Sequence, residues 1–286
     1  MRRLIINADD FGLTPGVNSA IVEAHERGVA TSATLMANGA AFDHAVQLAR
    51  SAPRLSIGCH VVLVDGTPVL EERQIPTLMG KYPRQFEESL AAIVLRALSG
   101  RLKGDEVEAE IAAQIRKLQS ASIHVSHLDT HKHTHILPQV LRPLLRAARA
   151  CGVRAVRNPF GPLRLSLLAE RPRLWKQFSK MKLLQSLAGK FRRVAAEAGM
   201  VTTDGTVGIV ATGSLDAPLF RHIVETLPQG TWEFVCHPGY NDGDLQRVRT
   251  RLRESRSQEL QLLTSPEARG LLAEGGIELI SYGDLI

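Results

Sequence analysis

The chain has 286 residues, of which 44% are apolar, and a formal net charge of +6. That length suits a single α/β domain with a sizeable core, and there is no 18-residue apolar run that could span a membrane. Three scattered cysteines, Cys59, Cys151 and Cys236, give neither a disulfide framework nor a CxxC metal site, and fit a reducing, cytoplasmic setting.

Taken in order, short β-branched runs alternate with helical patterns. The start, MRRLIINADDFG, has an apolar stretch too short for a secretory signal, and RLIIN reads as a strand. A helix follows, with Thr14 as N-cap, Pro15 at its first position and Gly28 at its stop. Strands are then predicted at 29–38 and 55–64. A long loop spans 65–83, and two helices follow, from FEESLAAIVLRALSG and GDEVEAEIAAQIRKLQSAS. IHVSHLDTH and VRAVRNP read as strands around the helix LPQVLRPLLRAARACG. TVGIVAT (206–212) and TWEFVCHP are later strands, and helices and IELISYGDL close the chain. About eight alternations without a linker predict one irregular (β/α) barrel over residues 1–286.

One stretch breaks the rhythm. Between 139 and 200 there are fourteen Lys or Arg and only two acids, Glu170 and Glu197. Within it, 173–195 carries Leu174, Phe178, Met181, Leu184, Ala188, Phe191 and Ala195 at helical steps, with Lys176, Lys180, Lys190 and Arg193 on other faces. This predicts a basic amphipathic helix in an insertion at about 158–200. Such a stripe serves core packing, a homodimer contact or an anionic membrane surface, the last implying a position peripheral to the inner membrane.

Polar groups gather where strands are predicted to end: Asn7, Asp9 and Asp10, then His60, then HLDTHKHTH, then His237 and Tyr240 in CHPGY. In a (β/α) barrel those ends form one rim. His127, Asp129, His131, His133 and His135 lie at every second position, so an extended chain would put all five on one face. Inward polar groups must pair with one another or bind something, and imidazole with carboxylate suits a divalent metal. The residues alone predict one Asp from 9–10, His60 and one His from 131–135, with an open position for water. Asp-Asp after a strand also serves as a turn feature, and a lone histidine also serves as packing. The coincidence at strand ends is what favours a site.

The segments LIINADDFGLTPGVNSAIVEAHERGVATSATLMANG, GCHVVLVDGTPVL, HLDTHKHTH and CHPGYND together resemble the YdjC-like (ChbG-type) carbohydrate deacetylases, from the first strand to the closing SYGDL. Within that family, GCHVVLVDGTPVLEERQIPTL and NPFGPLRLSLLAERPRLW resemble the hopanoid-biosynthesis-associated branch. The resemblance implies a barrel similar to polysaccharide deacetylases. It also implies metal-dependent removal of an N-acetyl group from an amino sugar, free or lipid-linked. Residue by residue, it implies Asp10, His60 and His131 as metal ligands, Asp9 as general base and His237 as general acid. It further implies that Arg157 orients the base or the substrate. His127, Asp129, His133 and His135 are left as supporting partners of the ligands. Thr130 and Lys132 depart from the residues common in the family, which puts local substrate contacts in question.

Two imidazoles and a carboxylate favour zinc, with magnesium as the alternative. In the expected reaction the hydroxyl or backbone N–H of Tyr240 would stabilise the oxyanion. Two competing readings are a metal phosphoesterase, which commonly needs two cations and more carboxylates, and a basic nucleic-acid-binding protein. The latter has few aromatic platforms and no recognisable motif to support it.

Overall fold

The computed structural model describes residues 1–163 and 171–286. Of the expected 158–200 insertion, residues 164–170 therefore lie outside the described residues. Among the described residues seven strands form one parallel sheet: β1 (Arg2–Phe11), β2 (Ser32–Leu35), β3 (Ser56–Val61), β4 (Leu128–Thr130), β5 (Gly205–Val207), β6 (Gly230–Cys236) and β7 (Ile277–Leu279). The hydrogen-bonded order is β4-β3-β2-β1-β6-β5, with β7 on the early part of β1. The result is an α/β fold around a single curled parallel sheet, as expected from the alternation of strands and helices.

β1 is the spine. Its residues from Leu4 to Phe11 are all buried, as a parallel strand covered on both faces requires. β6 pairs with it from Arg2↔Gly230 to Ala8↔Cys236, and β2 from Asn7↔Ser32 to Phe11↔Leu35. At the far side of the curl, the extended segment 154–160 joins the outer strands. Arg157 N–H donates to Leu128 C=O at 2.9 Å, and Thr206 N–H donates to Phe160 C=O at 3.0 Å. VRAVRNP is thus extended, but it pairs through isolated bridges rather than a regular ladder.

Three predicted elements differ. The extended run expected over IHVSHLDTH is a strand only at Leu128–Thr130; from His131 it turns into a short 3₁₀ segment, with left-handed Lys132 (φ 56°) and His133 (φ 52°). TVGIVAT is a strand only to Val207, because Gly208 at φ 94° turns the chain into a 3₁₀ turn at Ile209–Ala211. The predicted basic helix is two helices, Trp175–Leu184 and Ala188–Glu197, joined by a 3₁₀ turn. Its apolar stripe serves the core: Leu174, Phe178, Met181, Ala188, Phe191 and Ala195 are buried and Leu184 packs against them. Burying each aromatic ring there contributes about 2–3 kcal/mol. Trp175 and Leu183 remain exposed beside the basic side chains.

Capping follows the sequence. Thr14 Oγ1 accepts from Val17 N–H at 3.1 Å, with Pro15 opening the helix Pro15–Glu26. The 65–83 loop is latched to the helix Gly104–Ser120 by buried acids. Glu110 accepts from Val69 and Leu70 N–H, and Glu106 from Thr77 N–H. Among the described residues no helix is long and apolar enough to cross a membrane.

Candidate metal and catalytic site

A regular strand sends successive side chains to opposite faces, yet Asp9 and Asp10 both flank His60. The cause is a register slip against β2 between Ala8 and Phe11, with Asp10 in a left-handed conformation at φ 68°. A bulge of this kind re-aims a side chain at the rim of a sheet. β3 contributes His60 opposite Asp129 of β4, and the turn after β4 swings His131 back over the rim.

The three expected ligands meet. Asp10 Oδ1 lies 3.5 Å from His60 Nε2 and 3.4 Å from His131 Nδ1, and the two ring nitrogens are 3.3 Å apart. Three ligand atoms of a tetrahedral cation with bonds near 2.1 Å would sit about 3.4 Å apart. The remaining atoms of these residues are engaged. His60 Nδ1 pairs with Asp129 Oδ1 at 2.8 Å, which leaves the Nε2 lone pair facing the centre. Asp10 Oδ2 accepts from Arg256. A second cluster, Asp9, His60 and Asp129, has comparable spacing, but the Arg157 guanidinium already lies among its carboxylates.

Charge supports the same assignment. Four buried carboxylates, Asp9, Asp10, Asp129 and Glu233, face two buried guanidiniums, Arg157 and Arg256. The resulting deficit of positive charge favours a bound cation. Without an ion the deficit shows in His60. Burial would lower its pKa, but Asp129, Asp9 and Asp10 raise it to about 9. The residues present therefore fit a divalent cation.

Asp9 is held rigidly. Both its oxygens accept from Arg157, at 2.6 and 2.9 Å, and Asn7 Nδ2 donates to Oδ1 at 2.9 Å. Burial alone would raise its pKa, but Arg157 and His60 outweigh that and hold the carboxyl well below the usual carboxylate range. Burial would likewise raise Asp10, and Arg256 and His131 hold it low. His237 Nε2 lies 3.8 Å from Asp9 Oδ2, and its Nδ1 has no hydrogen-bond partner among the described residues. Burial lowers the His237 pKa to about 4, against the pull of Asp9 and Asp10.

Not every expected residue joins the cluster. Tyr240 is exposed, and its hydroxyl donates to Glu23 rather than to any residue of the cluster. Of the four supporting residues, only Asp129 touches a ligand. His127 stacks on Tyr282 at 3.6 Å between ring centroids, and Ser126 Oγ lies 2.9 Å from its Nδ1. His135 Nδ1 lies 2.6 Å from Thr130 Oγ1, and its ring meets Phe191 edge-on. His133 carries a buried Nδ1 without a partner among the described residues, and burial lowers its pKa to about 3. The alternation that would have put all five on one face ends with β4, at Thr130.

Three residues that the sequence reading passed over belong to the site's frame. Glu233 of β6 binds Arg157 Nε at 2.8 Å and accepts from the Tyr282 hydroxyl at 2.7 Å. Arg256 holds Asp10, and Glu259 accepts from His237 N–H at 2.6 Å. Signals existed: a Glu inside the apolar strand TWEFVC must be paired, and Arg256 and Glu259 share a helix face with Leu260 and Leu263.

The profile of the family described as YdjC-like protein matches residues 3–274. A protein of Brevibacillus brevis named carbohydrate deacetylase is 31% identical, over 99% of each chain. One of Geobacillus stearothermophilus with the same name is 32% identical, over 98% of this chain and 97% of its own. A crystal structure from Enterococcus faecalis V583, described as a candidate cellobiose-phosphate cleavage protein, superposes with a TM-score of 0.80 at 27% identity, covering 99% of this chain and 98% of that one.

Proposed function

We propose that this chain, which belongs to the YdjC-like family, is a metal-dependent hydrolase that removes the N-acetyl group from an acetylated amino sugar. The observation that carries this reading is the meeting of Asp10 Oδ1, His60 Nε2 and His131 Nδ1 within 3.5 Å of one another, next to the Asp9 and His237 pair. The names of the relatives, carbohydrate deacetylase, support the substrate class.

A divalent cation held by Asp10, His60 and His131 would polarise the acetyl carbonyl and acidify the attacking water. Zinc suits two imidazoles and one carboxylate, and magnesium is the alternative. Asp9 accepts the proton from the water. Arg157 keeps Asp9 ionised and fixes its orientation, so it is a weak base that is always available. His237 Nε2, 3.8 Å from Asp9 Oδ2, is the neighbouring group to which that proton passes. His237 returns it to the departing nitrogen, because an amine anion is too basic to leave unprotonated. A pKa near 4 suits His237 to pass a proton on rather than keep it. Any help to the oxyanion from Tyr240 comes from its backbone N–H, since its hydroxyl is bound to Glu23. The products are acetate and a free amino sugar.

The test is acetate release from N-acetylglucosamine oligomers and N-acetylated glycolipids by metal-stripped protein, with zinc or magnesium restored separately. The expected result is loss on stripping and recovery with one ion. Full activity of the stripped protein, or no acetate from any acetylated sugar, overturns the reading. A two-cation phosphoesterase is disfavoured because Arg157 fills the second carboxylate cluster; phosphate release from sugar phosphates would reverse that judgement.

The finer substrate is a lipid-linked amino sugar of the hopanoid type. Exposed Trp175 and Leu183 among the basic side chains of 173–193 support contact with an anionic membrane surface. Flotation with anionic vesicles at low salt tests this. Recovery of all the protein in the unbound fraction, or as a homodimer that covers those residues, removes it.

A further inference from the structure

The helix Glu254–Thr264 lies outside the motifs that define the site, yet two of its buried ionisable side chains reach into it. Arg256 is 1% exposed. Its Nη2 donates to Asp10 Oδ2, its Nε donates to Leu252 C=O at 3.2 Å, and its own C=O accepts from Gly239 N–H at 3.2 Å. One helical turn on, Glu259 accepts from His237 N–H at 2.6 Å. Burying a guanidinium is costly unless it is paired, and this one is paired with a residue of the metal centre.

The carboxylate of Asp10 is thereby divided. Oδ1 faces His60 and His131, while Oδ2 faces Arg256. A carboxylate free on both oxygens can bind a cation through one oxygen or two. With Oδ2 engaged, only Oδ1 is offered. That keeps coordination positions open for water and substrate, as a catalytic centre needs.

We propose that Arg256 is a positioning residue: it makes Asp10 a one-oxygen ligand and so sets the coordination number of the bound cation. This rests on the metal-dependent reading given above. The same helix, through Glu259 and the packing of Gly239 against Arg256, ties the loop bearing His237 to the strand bearing Asp10.

The test uses the full chain loaded with Co²⁺ or Zn²⁺, comparing wild type with Arg256→Gln and Arg256→Lys. Zinc affinity is read by competition with a chromophoric chelator, and coordination by the intensity of the visible Co²⁺ absorption. Arg256→Gln is expected to bind zinc about 10–100-fold more weakly. Its Co²⁺ bands should also weaken, as Asp10 turns to bind through both oxygens. Arg256→Lys, which keeps a cation near Oδ2, is expected to recover much of the affinity and the band intensity. An Arg256→Gln protein with zinc affinity within twofold of wild type and an unchanged Co²⁺ spectrum overturns the proposal. If Arg256→Gln does not fold, an Arg256→Lys spectrum and affinity far from wild type, despite the retained charge, overturns it as well. A wild-type chain that binds neither ion removes the metal reading itself, a different outcome from either.

Discussion

Two short segments supply most of the acids and imidazoles near the centre, and they do so in opposite ways. NADDF has two adjacent aspartates, which regular strand geometry would send apart, and both reach the site. HLDTHKHTH has five polar residues at the period that should bring them together, and only Asp129 and His131 take part. The difference lies in the backbone. A register slip and a left-handed Asp10 bring the first pair together, whereas the end of β4 and left-handed Lys132 and His133 disperse the second group. Periodicity alone does not pick the members: His131, past the end of β4, takes part, while His127, at the same period before it, packs on Tyr282.

The sharpest way to break this comparison is to neutralise each aspartate separately. Asp9→Asn is expected to lower the rate of acetate release by 10²–10⁴ (about 3–5 kcal/mol of barrier) with metal content unchanged. Asp10→Asn is expected to lose a comparable amount together with its metal. Equal metal content in both variants would show that the bulge does not give the two carboxylates different roles. By contrast, His127→Gln should leave metal content intact, since that ring packs on Tyr282 rather than facing a ligand.

A second effect concerns the frame around His237. Burial raises the Glu259 pKa from 4.5 to about 7. A raised folded value means that Glu259 stays protonated in the native state while it ionises in the unfolded chain. Its favourable contribution is therefore complete below about pH 4.5, declines as the pH climbs, and is gone above about pH 7. The span corresponds to about 3 kcal/mol. Urea unfolding at pH 5 and pH 8 should show wild type losing that much more stability than Glu259→Gln across the interval. Parallel loss in the two proteins would refute the assignment.

How much of this was legible beforehand follows from what each residue leaves in the sequence. One Asp of 9–10, His60 and one His of 131–135 could be read because polar groups gather near the predicted strand ends, which share a rim whatever the local register, and the family resemblance singled out Asp10 and His131. The bulge could not be read, since nothing in NADDFG distinguishes a slipped register from a regular one. Glu233, Arg256 and Glu259 were readable in principle as charges on apolar faces, but a single charge in a helix or strand is usually solvated and draws no notice. The helix over 173–195 was read in type but not in continuity, because its amphipathic stripe continues through the 3₁₀ turn at Gln185–Leu187. Tyr240 followed a motif rather than a physical constraint, and its hydroxyl found Glu23 instead.

The packing role assigned to His127 gives a smaller effect. A Cβ on Gly58 would lie 2.5 Å from the His127 ring. Gly58→Ala should therefore cost about 1–3 kcal/mol of stability through overpacking. Zinc affinity should stay within a few-fold, because the ligands His60 and Asp10 do not depend on that contact. A large loss of metal with little loss of stability would mean that His127 supports the centre after all.

The smallest expected effect falls on His133, and it separates dispersal from hidden participation. His133 sits at φ 52°, where most residues are strained and Asn is better tolerated, and its buried Nδ1 has no partner among the described residues. His133→Asn relieves both penalties and removes one imidazole from the neighbourhood of Arg157. Stability should hold or rise by about 1 kcal/mol, and acetate release should stay within tenfold of wild type. A hundredfold fall in kcat at unchanged metal affinity would instead show that the unpaired Nδ1 is kept for the substrate. The histidine-rich segment would then contribute a third functional group through its turn rather than its strand.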